Sequence, residues 1–306
     1  MIRKIIITGA EGFLGSHLAN FLKLKDSVYC FVKKFPKKKI KNVNYFRCDV
    51  RNKSLIKKLI KEIKPNVIFH LAAKSHPLFS FKYPEKTILV NTLGTINILQ
   101  SIVELNFTSK IIIACSSAQY GTRKFNELPL KESENYNPDH IYGLSKKIQY
   151  LLSNQFSKMF KLKVINAIIF NTSGPGKKND VFYDFSKQFL RQQKKKKTIK
   201  IKCGNIFNKR DFLHYKDTIR ALDILSKKGK YGESYNISTG KLIKISELLQ
   251  YISKKSKKKI EIISRRENLR IYDEKYISGN NNKIKEIGWK PKKDYKDILD
   301  EMCNFD

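Results

Sequence analysis

At 306 residues with 41% hydrophobic side chains, the chain is long enough to bury a sizeable core in one or two domains. Its formal charge of +36 raises nucleic-acid binding, yet the lysines are spread over nearly every helical segment, with runs at 37–39, 194–197 and 257–259, and no RNA- or DNA-binding motif accompanies them. Codon-driven lysine enrichment that also attracts anionic substrates is the preferred reading, with no specific nucleic-acid partner expected.

No apolar run reaches membrane-spanning length, and Met1-Ile2-Arg3-Lys4 leads straight into a strand pattern, so neither a membrane span nor a signal peptide is expected. The five cysteines, Cys30, Cys48, Cys115, Cys203 and Cys303, lack metal-ligand spacing. No metal site is expected, and the pattern fits a reduced cytoplasm.

In chain order, strand patterns at 4–8, 27–32, 43–47, 66–70, 110–115 and 163–169 alternate with helical patterns at 13–24, 53–63, 84–105 and 141–160. That alternation predicts an α/β fold, a doubly wound parallel sheet with helices on both faces. The first strand runs into Thr8-Gly9-Ala10-Glu11-Gly12-Phe13-Leu14-Gly15. Glycines at 9, 12 and 15 between a strand and a helix allow a sharp turn and close approach to a diphosphate at the helix N-terminus. Phe13 and Leu14 open that helix and are cofactor-contact candidates. The second strand ends in Lys33-Lys34, where NAD-binding chains place an acidic residue for the ribose 2′-hydroxyl. The cations suit a 2′-phosphate and hence NADPH, unless they are two more lysines of a lysine-rich chain.

Tyr142 and Lys146 stand at i and i+4 on the helical pattern 141–160, one face carrying a phenol and an ammonium. A phenol titrates at about 10, and a fixed positive charge favours its ionised form, making it a usable proton donor or acceptor for a carbonyl or alcohol. After Asn171 the texture changes: Thr172-Ser173-Gly174-Pro175-Gly176 reads as a loop, and later elements read as short.

Thr-Gly-x-x-Gly-x-x-Gly at the N-terminus followed by Tyr-x-x-x-Lys resembles the extended short-chain dehydrogenase/reductase family, and the likeness covers essentially the whole chain. The family fold implied is Rossmann-like, with a smaller C-terminal α/β substrate domain. Residues 1–170 would form the dinucleotide-binding domain, with 212–240 returning to it through Ser234-Tyr235-Asn236-Ile237. Residues 171–211 and 241–306 would form the nucleotide-sugar substrate domain. Asp49-Val50 resembles the adenine-contacting pair, and Leu71, Ala72 and Ala73 end the fourth strand in the cofactor region. Ser116 occupies the family's catalytic Ser/Thr position beside Tyr142 and Lys146, and Lys146 would also bind ribose hydroxyls. Ser117 and Asn171 would contact the sugar nucleotide. Arg210, in Arg210-Asp211-Phe212, would bind its diphosphate, with Arg270 as a second candidate. The family commonly dimerises through the 84–105 and 141–160 helices, which implies a homodimer.

The resemblance implies an NAD(P)-dependent oxidoreductase acting on a nucleotide sugar. Gly204-Asn205-Ile206, the Asn-x-x-Gly-Pro-Gly loop and Gly288-Trp289-Lys290-Pro291 resemble reductases of GDP-4-keto-6-deoxy-D-mannose, which form GDP-D-rhamnose. A nucleotide-sugar 4-epimerase is the alternative, and a non-catalytic dinucleotide- or nucleic-acid-binding protein is a third reading that the intact Ser-Tyr-Lys set disfavours. Ser117-Ala118 after the catalytic serine lacks the acid and base that a 4,6-dehydratase needs to remove water.

Overall fold

The computed structural model describes residues 2–194, 197–264 and 275–305. The first strand, β1 (Lys4–Thr8), carries Ile5, Ile6 and Ile7, all fully buried. Alternation along the strand sends Ile5 and Ile7 into one apolar cluster and Ile6 into another. A strand covered on both faces has no solvent side, which explains its unbroken apolar run.

The chain continues through α1 (Phe13–Leu22), β2 (Ser27–Val32), β3 (Asn44–Arg47), α2 (Lys53–Ile63) and β4 (Val67–His70). Next come α3 (Pro77–Lys82), α4 (Pro84–Ile88), a π-helical turn at Leu89–Leu93, α5 (Gly94–Glu104), β5 (Lys110–Ser116), α6 (Ile141–Phe160) and β6 (Val164–Ile169). A seven-stranded sheet in the order β11-β6-β5-β4-β1-β2-β3 is parallel throughout, with β11 (Ser234–Ile237) on the β6 edge. This is the expected doubly wound α/β architecture. On one face Leu18 and Leu22 of α1 pack with Leu222, Leu225 and Trp289; on the other Ile56, Leu59 and Ile60 of α2 pack with Ile98, Leu99 and Ile102 of α5.

The single helix expected over 84–105 is divided by the π turn. Asn91 lies inside it, fully buried, accepting from the Lys74 N–H at 2.7 Å and donating to the Lys74 carbonyl and to Ser145 Oγ at 3.2 and 2.8 Å. The widened turn thus clamps the segment after β4 to α6, and π turns recur at functional sites for this kind of local re-aiming.

Beyond β6 the elements are β7 (Asn171–Ser173), α7 (Val181–Gln192), β8 (Thr198–Cys203), β9 (Lys209–Arg210), β10 (Phe212–His214) and α8 (Tyr215–Lys228). After β11 follow β12 (Ile243–Lys244), α9 (Ile245–Ser256), β13 (Lys259–Ser264), β14 (Tyr276–Ile277), α10 (Asn282–Glu286) and α11 (Tyr295–Cys303). The expectation of short elements here is corrected: α7, α8 and α9 run 12, 14 and 12 residues. Charged outer faces dilute their apolar spacing, but Phe182, Phe185 and Phe189 of α7 join Leu248, Ile252, Ile298 and Leu299 in a third apolar cluster over the parallel pair β13-β8. Thr172 and Ser173, expected as the start of a loop, instead belong to β7, which pairs in parallel with β10. Ile284 and Trp289 of the 241–306 segment pack beside the large sheet rather than in the third cluster.

Candidate active site

β1 and β4 are neighbours, although the chain between them runs outward through β2 and β3. At such a reversal the loops beyond the strand ends part and leave a crevice. Gly9 follows β1 with φ +68°, and a Cβ there would fall 2.7 Å from Ala72 Cα, so glycine lets the turn lie against the segment after β4. A Cβ on Gly15 would strike the Gly9 carbonyl, so α1 starts hard against the turn. Gly12 is the N-cap of α1 and supplies no side-chain cap, which leaves early helix N–H groups for an outside acceptor. A diphosphate fits this cradle in shape and charge.

Behind the turn, a buried hydrogen-bond chain links the two strand ends to α6. Thr8 Oγ1 lies 2.9 Å from His70 Nδ1 and accepts the Ala72 N–H at 3.2 Å. His70 Nε2 lies 3.1 Å from Thr95 Oγ1, which accepts from Gln149 at 2.6 Å and donates to the Asn91 carbonyl at 2.7 Å. With the Thr95 proton given to the Asn91 carbonyl, His70 Nε2 donates to Thr95 and Nδ1 accepts from Thr8, which assigns the neutral tautomer protonated on Nε2. Burial pushes its pKa down to about 3, with the Lys146 charge adding to the effect, so it stays neutral.

The three residues of the expected catalytic set meet in one cleft. Ser116 ends β5 and accepts the Ala118 N–H at 3.3 Å. Tyr142 is the second residue of α6, and its backbone N–H donates to Ser80 Oγ at 3.2 Å. His140 caps α6, its Nδ1 accepting from Gly143 N at 3.0 Å. Gly143 lies so close under the Ala118 carbonyl that a Cβ would clash, which brings the start of α6 against the loop after Ser116. Lys146 is buried, with Nζ 5.9 Å from the Tyr142 ring centroid and donating to the Ala114 carbonyl at 2.8 Å. Burial lowers its pKa to about 8.

The same cleft is lined by Gly9, Gly12, Phe13, Leu14, Gly15 and Lys33, and by Asp49, Val50, Leu71, Ala72 and Ala73. Asp49 accepts from Arg51 Nε and Nη2 at 3.0 and 2.8 Å and lies 3.9 Å from Lys33 Nζ. The Arg51 bonds hold its carboxyl down at about 2. Lys34 is not brought in: it lies in the bend past β2, exposed and outside the lining, whereas Lys33 is held at the cleft by Glu11 and Asp49.

Ser117, Asn171 and Arg210 line the other end. Asn171 Nδ2 donates to the Asp211 carbonyl at 3.4 Å. Asp211 is fully buried and takes the Thr239 N–H and Oγ1 at 2.8 and 2.6 Å and the Gly240 N–H at 2.9 Å, fixing the backbone beside Arg210. Arg270 lies outside the described residues.

Sequence reasoning missed several cations that also line the cleft, among them Lys187, Arg191, Lys200 and Lys202. The amides of Gln188 and Gln192, one helical turn apart on α7, each bond both backbone groups of Lys202 and Lys200 respectively, at 2.8–3.1 Å. They occupy the outer edge of β8 and bring both elements to the cleft. The alternation of Lys200 and Lys202 with buried Ile199, Ile201 and Cys203 was the available signal. The cleft holds about 1710 Å³, above the roughly 300–1,000 Å³ of a single small-molecule site and large enough for a dinucleotide and a second nucleotide together.

A family model described as GDP-mannose 4,6 dehydratase matches residues 6–302. GDP-6-deoxy-D-mannose reductase of Pseudomonas aeruginosa is 27% identical over 301 residues, covering 98% of this chain and 95% of its own. Human GDP-mannose 4,6 dehydratase is also 27% identical, covering 98% of this chain and 90% of its own. Among solved structures, RMD from Pseudomonas aeruginosa complexed with NADPH has a TM-score of 0.85 at 26% identity, with 99% of this chain and 98% of that one covered. UDP-glucose 4-epimerase of Thermotoga maritima shares the fold, with a TM-score of 0.88 at 22% identity over 99% of this chain and 98% of its own. Among the described residues no helix is long and apolar enough to cross a membrane. The chain belongs to the GDP-mannose 4,6 dehydratase family of extended short-chain dehydrogenase/reductase fold, NAD(P)-dependent oxidoreductases of nucleotide sugars.

Proposed function

We propose that the protein reduces the C4 ketone of a nucleotide-linked 4-keto-6-deoxyhexose, converting GDP-4-keto-6-deoxy-D-mannose to GDP-D-rhamnose with NADPH. The observation that carries this is Ala118. Ser116, Tyr142 and Lys146 stand together, while the residues that follow Ser116 in the cleft are Ser117 and Ala118. Dehydration needs a base at C5 and an acid for the departing C6 hydroxyl. A methyl group supplies neither. The similarity to GDP-6-deoxy-D-mannose reductase supports the same direction.

In this reading a bound nicotinamide dinucleotide supplies the hydride. Ser116 Oγ hydrogen-bonds the substrate's C4 oxygen and Tyr142 gives it a proton. The Lys146 charge favours the phenolate that remains and holds the ribose hydroxyls. Asn171 and Ser117 orient the sugar, and Arg210 with Lys187, Arg191, Lys200 and Lys202 holds the diphosphate. On the cofactor side the glycine-rich turn takes the dinucleotide diphosphate, Asp49 and Val50 the adenine, and Lys33 the 2′-phosphate.

We read residues 1–170 with 212–240 as the dinucleotide lobe, and 171–211 with 241–306 as the substrate lobe. A homodimer through the α4–α5 region and α6 is supported by the exposed apolar side chains Leu89, Leu93, Leu144 and Leu151 on those helices. The activity is tested by supplying GDP-4-keto-6-deoxymannose with NADPH, with GDP-mannose and UDP-glucose as controls. Loss of the keto sugar with NADPH oxidation is expected. Water loss from GDP-mannose, or epimerisation of UDP-glucose without reduction of the keto sugar, would overturn the reading.

A further inference from the structure

The end of β2 is where a dinucleotide-binding fold reads the adenosine ribose, through the side chain that follows the strand. Here that side chain is Lys33, and no acidic residue follows β2 directly. An acidic group nevertheless stands at this point, delivered by the glycine-rich turn after the neighbouring strand β1. Gly9 N donates to the Phe31 carbonyl at 3.0 Å, which fastens the glycine-rich turn to the last residues of β2. Two residues further along the turn, Glu11 Oε1 accepts the backbone N–H of Lys33 at 3.0 Å. The carboxylate is exposed, lines the cleft and lies within one hydrogen bond of the strand end. The cation opposite is partly engaged, since Lys33 Nζ lies 3.9 Å from Asp49 Oδ2.

We infer that Glu11 is a specificity-determining residue for the cofactor, opposing a 2′-phosphate and accepting from a 2′-hydroxyl. Its charge counters that of Lys33, so the preference of the protein for NADPH is held below what Lys33 alone would give. The physical reason is short-range charge. A carboxylate repels a nearby phosphate that carries between one and two negative charges, even in water. The same carboxylate is a good acceptor for a neutral hydroxyl. The inference rests on the glycine-rich turn being the dinucleotide site.

The test is Glu11→Gln. The amide keeps an oxygen that can accept the Lys33 N–H, so the turn stays tied to β2 while the charge is removed. Titrate NADPH and NADH into the parent protein and the variant, following quenching of protein fluorescence, at low and at high salt. The expected result is a shift of the NADPH-to-NADH affinity ratio of about tenfold toward NADPH, shrinking at high salt. A purely structural role for Glu11 would move both affinities by the same factor, so an unchanged ratio, or a shift toward NADH, would overturn the inference. If the parent binds neither cofactor, the dinucleotide reading of the turn itself fails. If the parent prefers NADH and Glu11→Gln still shifts the ratio toward NADPH, the role of Glu11 stands and the assignment of NADPH does not.

Discussion

The ammonium of Lys146 donates to the carbonyl oxygen of Ala114 at 2.8 Å, two residues before Ser116 on the same strand. That bond ties the end of β5 to α6 and sets the lysine beneath the Tyr142 ring. It also holds a buried charge in the protein without cofactor, where desolvation lowers the lysine from 10.5 to about 8. Between those two values the folded protein binds fewer protons than the unfolded chain. The contribution of Lys146 to stability therefore rises with pH across that window and is a cost below about pH 8.

Lys146→Met should accordingly stabilise the cofactor-free protein at pH 7 by about 1–3 kcal/mol, with the gain fading as pH approaches 10.5. Activity should be lost in the same variant. Urea unfolding at pH 7 and near pH 10 measures the difference. A variant less stable than the parent at pH 7 would mean that the Ala114 bond outweighs the desolvation cost.

Tyr142→Phe removes one hydroxyl and leaves the packing of α6 in place. Turnover should fall roughly 10²–10⁴-fold, while the affinity for the dinucleotide stays within a small factor. Single-turnover kinetics beside a cofactor titration separate the two. Near-normal turnover would show that the proton comes from another group.

Lys33→Asp should shift the protein toward NADH. It replaces the cation beside the cleft with an acceptor for the 2′-hydroxyl. Direct binding of both reduced cofactors reads the change, and an unaltered ratio would exclude Lys33 as the residue that meets the 2′-phosphate. Lys34→Ala should leave the ratio as it was, because that side chain lies outside the cleft lining.

Leu151 is 51% exposed on α6, beside the exposed Leu144 of the same helix. Leu151→Glu should convert a dimer to monomers, since a charge in an apolar helix contact leaves it unpaired. Sedimentation at several protein concentrations distinguishes the outcomes. A parent protein that is already monomeric would exclude this interface.

Much of the sheet was legible because a strand covered on both faces cannot hide its pattern. Ile5-Ile6-Ile7 and Ile111-Ile112-Ile113 announce themselves, and β1, β2, β5 and β6 begin and end within a residue of the expected limits. The Ser116, Tyr142 and Lys146 set was legible from spacing and resemblance together. The division of the 84–105 helix was not, because the π turn depends on what the Asn91 side chain meets across the fold, Lys74 and Ser145. Glu11 was hidden for the same reason: it reaches the end of β2 only once the turn folds over Phe31. The cations at the far end of the cleft were obscured by composition, since Lys187 and Lys200 look like any other lysine in a chain with 63 Lys and Arg residues.

The claim that this cleft reduces a ketone, rather than cycling a hydride within one sugar, is tested most directly by following the hydrogen that arrives at C4. Incubate the protein with GDP-4-keto-6-deoxymannose and NADPH carrying deuterium at the transferable position, and analyse the product sugar by mass spectrometry and NMR. The account predicts one deuterium at C4 per NADPH oxidised, in GDP-D-rhamnose. A product formed without label at C4, or with the reduced cofactor undiminished, would contradict it.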